Sequence, residues 1–490
     1  MLWQERLRRH NCLMADQTPP ASPGKVKIVT LGCAKNDVDS EEIAGVLQGS
    51  GFEIDPDARK TEVTVINTCG FLEASKEESI RAIKDALREK KAGRTGKVIV
   101  AGCLAQRMGA DLVKAAPGAD AYIGVGQMGR FDEIVKQTMR SREQVFDVAP
   151  PHHRWADVAT RARSGHPWSA YLKVSEGCDH RCTFCTIPSF RGRHESKPIE
   201  RVLAEARQLA SRGVREINLI AQDVTQYGYD LYKQFTLPRL LRELNAIEGI
   251  EWIRILYFYP NRLTDEVIEA MATLPKVLPY IDIPLQHAHP ATLARMKRPW
   301  DGERYLRVFE KVRTAMPQCA IRTTFIVGFP GETEEEFGYL LDFVRAAKLD
   351  RVGAFMFSRE PGTPSYDMPE QVSSRVKRER YDRIMRIQQG ISLEVNRGWI
   401  GKTIDVLVED RQAGYLVGRS HRDAPDIDGL VFVETLEETG ADKPVELGSI
   451  VRAEISGAEP YDLYGQLEGA VAAPRRRLTG LRMAAPVAPQ

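Results

Sequence analysis

The chain has 490 residues, room for about two to four domains. Its 43% hydrophobic and 28% charged residues are ordinary for a globular protein, and no apolar run reaches the roughly 18 residues a bilayer needs. Those numbers lead to the expectation of a cytoplasmic protein without a membrane partner, and a net charge of +2 gives the whole chain no general pull on nucleic acid. In a reducing cytosol the eight cysteines argue for metal binding or catalysis rather than disulfides.

Residues 1–24 contain arginines but no apolar core, so they read as a disordered tail rather than a signal peptide, with Met14 an alternative start. Cys12 falls in that tail. Residues 25–145 alternate strand and helix: KVKIVTLG, VTVINT and KVIVAG are short apolar strands, separated by helical stretches such as EASKEESIRAIKDALREK. That order predicts an open parallel α/β sheet. Residues 146–168 have no period and read as a linker.

A second alternating series fills 169–397, with SAYLKVSEG, EINLIAQD, WIRILYFYP, YIDIPLQ, IRTTFIVGF and RVGAFMFS as strands and a charged helix over about 371–397. Six β/α units predict a partial (β/α)6 barrel. Residues 398–467 break into short β runs separated by Gly, Asp and Pro, the pattern of a small all-β barrel of the OB-like kind. A disordered tail is expected over 468–490.

Cys178, Cys182 and Cys185 are spaced C-x3-C-x2-C directly after the first strand of the second series, at the end where barrel enzymes place their sites. A structural zinc site would need a fourth ligand, which His180 or His194 could supply. An iron–sulfur cubane held by three thiolates would instead keep one iron open. The spacing resembles that of the radical SAM enzymes. The resemblance implies a [4Fe-4S] cluster whose open iron is chelated by S-adenosylmethionine, and it places Phe184 against the adenine. Gln222, Asp223 and Gly328 close two further strands and are candidate contacts for the same cofactor. His287 and His289 follow the fourth strand, where a structural role or a cofactor contact outweighs catalysis.

Cys33, Cys69 and Cys103 lie 36 and 34 residues apart, each after an apolar strand. Small thiols pack well at strand ends, and that is the bland reading. In an open α/β sheet, however, loops beyond the carboxyl ends converge on one crevice, so three of three in that position predict a second three-thiol cluster site. Cys319, in MPQCAIRTTF, reads as a small buried thiol.

A tricysteine domain, a C-x3-C-x2-C barrel and a small β domain, in that order, resemble the methylthiotransferase family over about 25–467. The resemblance implies that Cys33, Cys69 and Cys103 hold an auxiliary [4Fe-4S] cluster, that the β domain is a TRAM domain, and that the product is a C–SCH3 group. It also implies an electron donor of the flavodoxin or ferredoxin type. LGCAKNDVDSE, INTCGFLEASKEES, YIDIPLQHAHPATLARMKRP and RTTFIVGFPGETEEEF are similar to the RimO-like branch, which modifies an aspartate of small-subunit ribosomal protein twelve, free or in the small subunit. The alternatives are the MiaB-like branch, acting on an adenosine of transfer RNA, and a non-enzymatic iron–sulfur or zinc protein. Charge favours the protein substrate: residues 399–467 hold 6 Lys and Arg against 14 Asp and Glu, a net −8 that would repel RNA.

Overall fold

The computed structural model describes residues 24–151, 155, 161–412, 414–434 and 445–468. Cys12, Met14 and almost all of the two expected tails lie outside them.

Six strands form the first sheet: β1 (Lys25–Thr30), β2 (Glu53–Ile54), β3 (Thr61–Thr68), β4 (Thr95–Gly102), β5 (Ala121–Ile123) and β6 (Val145–Asp147), in spatial order β2-β1-β3-β4-β5-β6. Every neighbouring pair is parallel. A parallel sheet is covered on both faces, so its central strands are apolar on both sides. Val63, Val65, Ile99 and Ala101 pack on one face with Ile43 and Leu47 of the helix Ala34–Gly49. Ile66, Val98 and Val100 pack on the other with Ile83 and Ala86 of the helix Glu73–Lys91. The edge strand β6 occupies the start of the stretch that reads as linker; three residues are too short to show a period.

The second series gives β7 (Ser169–Lys173), β8 (Ser175–Glu176), β9 (Glu195–Ser196), β10 (Glu216–Ile220), β11 (Trp252–Ile255), β12 (Tyr280–Asp282), β13 (Ala320–Val327) and β14 (Arg351–Met356). Two parallel arcs, β11-β10-β7 and β12-β13-β14, meet at a bridge between Ile253 and Val277. They enclose the main core and make the partial barrel. The run SAYLKVSEG divides into β7 and the short β8, which pairs antiparallel with β9 and so brackets the cysteine loop.

After the helix Ser374–Arg397 the chain closes a five-stranded barrel from β15 (Thr403–Gln412), β16 (Tyr415–Ser420), β17 (Val431–Glu434), β18 (Ile450–Ala458) and β19 (Leu463–Leu467), in order β15-β16-β17-β19-β18. Its buried arginines dock it on the larger barrel. Arg419 Nη2 reaches Glu216 at 2.5 Å and Arg422 Nη2 reaches Asp350 at 3.0 Å. In return Arg351 donates to Asp423 at 2.8 Å. Glu216 and Arg351 begin β10 and β14, so the small barrel caps the amino ends of the strands and leaves their carboxyl ends free.

Candidate active site

β1, β3 and β4 are adjacent and parallel, so the loops that follow them share one edge. Cys33 caps the helix Ala34–Gly49, Cys69 follows β3, and Cys103 opens a short helix after β4. The loops pass close together: Gly32 has φ +102, and a Cβ built there would come within 2.9 Å of the Cys69 sulfur. Ser79 Oγ fixes the second loop, accepting from the Cys69 amide at 3.1 Å and donating to its carbonyl at 2.8 Å. Cys33 is exposed while Cys69 and Cys103 are buried. Burial pushes the Cys103 thiol up to about 12 and raises Cys69 as well.

The second triad hangs between β8 and β9. Gly177, with φ +72, enters the loop where a Cβ would fall 1.9 Å from the Arg193 carbonyl oxygen, so only glycine fits. The Cys178 amide then donates to Gly192 O at 3.0 Å, and the Cys185 amide donates to Cys182 O at 3.2 Å. All three thiols are half-buried. Burial pushes Cys178 up to about 12 and Cys185 higher still. Arg298 stacks on Tyr259 at 4.3 Å and brings Nη1 to 3.8 Å from the Cys182 sulfur, placing a positive charge where a thiolate would form.

The histidines that could have completed a zinc site are engaged elsewhere. His180 Nε2 pairs with Asp223 Oδ2 at 2.7 Å, and its ring stacks on Tyr259 with centroids 3.5 Å apart. His194 Nε2 is bonded to Ser196 Oγ at 3.1 Å. Among the described residues no three His, Cys, Asp or Glu side chains are gathered tightly enough to hold one ion. Each triad offers three sulfur donors and no fourth ligand, a set that suits an iron–sulfur cluster better than a closed four-coordinate zinc site.

The structure brings the remaining candidates to the same end of the barrel in different states. Phe184 packs with Phe329, Phe357 and Met296, its ring edge-on to Phe329 at 6.5 Å. Gln222 donates to Glu176 Oε2 at 3.2 Å and leaves its own Oε1 buried without a partner. Asp223 is committed: besides His180 it accepts from Arg262 at 3.0 Å and from the Thr225 amide at 2.9 Å. Gly328 has φ +72, and its amide donates to Glu332 Oε2 at 2.8 Å. His287 is fully buried, with Nδ1 accepting from the His289 amide at 3.0 Å; burial pushes its pKa down to about 3. His289 caps the helix Pro290–Arg295. Both histidines are therefore bonded within the loop, while His287 Nε2 is buried without a hydrogen-bond partner. Cys319 is buried away from both triads and serves as core.

Sequence reasoning missed the residue that joins the two triads. Arg191 ends the short helix after Cys185, and its Nε donates to the Cys103 sulfur at 3.2 Å. Its other nitrogens reach Asn36 Oδ1 at 2.7 Å, Asp39 at 2.8 Å and Glu176 at 2.9 Å. Lys173 joins the same carboxylates from β7. The only signal in sequence was a charged residue between Phe190 and Gly192 in a loop otherwise turning inward.

Three family descriptions match separate parts of the chain: Radical SAM superfamily over 172–344, Uncharacterized protein family UPF0004 over 25–124, and TRAM domain over 400–467. The chain is 46% identical over 445 residues to the ribosomal protein uS12 methylthiotransferase RimO of Moorella thermoacetica, spanning 91% of this chain and 99% of the relative. It is 44% identical over 445 residues to the protein of the same name from Desulforamulus reducens, spanning 90% and 99%. Among solved structures, the radical S-adenosylmethionine methyltransferase TsrM from Kitasatospora setae, with cobalamin and a [4Fe-4S] cluster bound, aligns with a TM-score of 0.53 at 16% identity. It covers 80% of this chain and 77% of that one, a likeness of fold.

Proposed function

Because the chain belongs to the RimO family of ribosomal protein uS12 methylthiotransferases, we propose that it adds a methylthio group to the β-carbon of an aspartate in uS12, the small-subunit ribosomal protein twelve. The chain is a radical SAM transferase that works with S-adenosylmethionine and [4Fe-4S] clusters. In this reading Cys33, Cys69 and Cys103 hold the auxiliary cluster, and Cys178, Cys182 and Cys185 hold the radical-generating one. The working units are 25–145, 169–397 and 398–467, with the linker between the first two.

The observation that carries the reading is the contact of Arg191 with Cys103, which ties the loop of one triad to the thiol of the other. Both triads offer sulfur alone, the soft donor set that suits iron and sulfide. When bound, the clusters and S-adenosylmethionine supply reductive cleavage of the sulfonium and a place to carry sulfur. The chain's own side chains do the rest. Phe184, packed on Phe329 and Phe357, offers an aromatic edge for the adenine, and Gln222 Oε1 is a buried acceptor left without a partner. Asp223 acts through His180, holding the cysteine loop against Tyr259.

The partner reading rests on the small barrel. Its Arg419 and Arg422 are buried in the dock, matched there by the buried carboxylates of Asp423 and Asp428, so the acidic excess of the composition is left to the rest of the barrel. A basic ribosomal protein suits that excess and an RNA backbone does not. An electron donor of flavodoxin or ferredoxin type and a cytoplasmic location complete the proposal.

The test is an anaerobic reaction of reconstituted protein with purified uS12. Cys182→Ala is expected to abolish cleavage of S-adenosylmethionine, whereas Cys69→Ala keeps cleavage and yields no methylthio product. Loss of cleavage in both, with normal iron in the other triad, would remove the division of labour.

A further inference from the structure

Lys35 lies two residues beyond Cys33, in the first turn of the helix Ala34–Gly49. It is only 8% exposed, and its Nζ rests 3.6 Å from the centroid of the Tyr257 ring. Tyr257 comes from the barrel, just past β11, and holds φ +66, a left-handed conformation that a bulky side chain rarely adopts. The pair therefore spans the seam between the Cys33 loop and the carboxyl end of the barrel.

Neither polar group has found an anion. The nearby Asp282 is taken by Arg322 at 2.7 Å and by the Tyr257 amide at 3.2 Å. Asp39 and Glu42 belong to Lys173. Among the described residues the Lys35 ammonium has no carboxylate or hydrogen-bond acceptor, and the Tyr257 hydroxyl has no hydrogen bond. Neither is among the polar atoms sealed from solvent. A largely buried ammonium with only an aromatic face beneath it is incompletely compensated.

We propose that Lys35, assisted by the Tyr257 hydroxyl, binds the side-chain carboxylate of the substrate aspartate and so selects an acidic residue as the target. This rests on the uS12 reading above. A carboxylate held there leaves the neighbouring β-carbon beside the Cys33 loop. Lys35 thus orients the carbon to be modified, and an uncharged target forfeits the ion pair. The Tyr257 ring already lies under the ammonium, so the ammonium is in place before substrate arrives.

The experiment uses the iron-loaded holoenzyme as wild type, Lys35→Met and Lys35→Arg, with uS12 and with uS12 whose target aspartate is Asn. Binding and kcat/KM are measured for each pair, with iron content as the control for folding. Wild type is expected to favour the Asp form by at least about 30-fold, the scale of losing one partner of a desolvated charge pair. Lys35→Met should lose that factor on the Asp form, chiefly in binding and KM, and change the Asn form by no more than about 3-fold, with Lys35→Arg between. An Asp preference that survives in Lys35→Met at full iron content overturns the proposal, as does an equal loss on both substrates. No product from either uS12 form with wild type would instead overturn the substrate reading on which it stands.

Discussion

Arg191 Nε stands 3.2 Å from the sulfur of Cys103, so the cysteine loop of the barrel donates a hydrogen bond to a thiol of the other domain. The same guanidinium is buried between Asp39 and Glu176. Removing one member of a buried ionic network costs about 3–5 kcal/mol because the remaining charges lose their partner. Arg191→Met is therefore expected to lower the melting temperature and to reduce iron retained by Cys33, Cys69 and Cys103. Iron per chain in a background with Cys178, Cys182 and Cys185 changed to Ala isolates that triad. Arg191→Lys should restore part of the retention; unchanged iron in Arg191→Met would show that the contact is incidental.

Gly177 makes a sharper prediction about the other triad. An alanine there would drive a methyl into the Arg193 carbonyl at a backbone angle that already disfavours side chains. Gly177→Ala should halve the iron bound, from about eight to about four per chain if both clusters are cubanes. Iron analysis with and without the Cys33, Cys69, Cys103 triad checks that the loss falls on one cluster alone.

The acidic small barrel should speed encounter with a basic partner. Asp405 and Glu454 are exposed on adjacent strands, β15 and β18. The double variant Asp405→Lys, Glu454→Lys is expected to slow association with uS12 several-fold at low salt, with the gap closing near physiological ionic strength. Association rates measured at two salt concentrations decide it. A faster rate would mean that the partner is an anion such as RNA.

Glu216 links the docking of that barrel to pH. Although its burial opposes ionisation, Arg419, Arg254 and Ser169 hold its carboxyl down at about 2, against an ordinary value of 4.5. Its folded pKa is depressed, so its contribution is complete above pH 4.5 and disappears as pH falls toward 2. Glu216→Gln should cost about 3 kcal/mol by leaving two arginines short of charge, and flatten the acid limb of the stability curve. Thermal melts between pH 3 and 7 test both.

The three-part order was legible in the sequence, and so was the shared edge of Cys33, Cys69 and Cys103, because each of those three lies just past a strand and strand ends in parallel sheets share an edge. What was not legible came from contacts between distant segments. Arg191 meets Asn36, and Lys35 meets Tyr257, across the domain seam, where no local period records the pairing. Arg419 and Arg422 counted as surface charge in the composition, yet they point into the dock. Asp223 looked free at its strand end, but His180 and Arg262 occupy it.

On the proposed function, this chain places a methylthio group on uS12. The most direct measurement is the intact mass of uS12 from cells with and without the gene, followed by fragmentation to locate any change. A gene-dependent gain of one methylthio group on an aspartate is the expected result. An unchanged uS12 mass, with a methylthio group lost from transfer RNA adenosine instead, would contradict it.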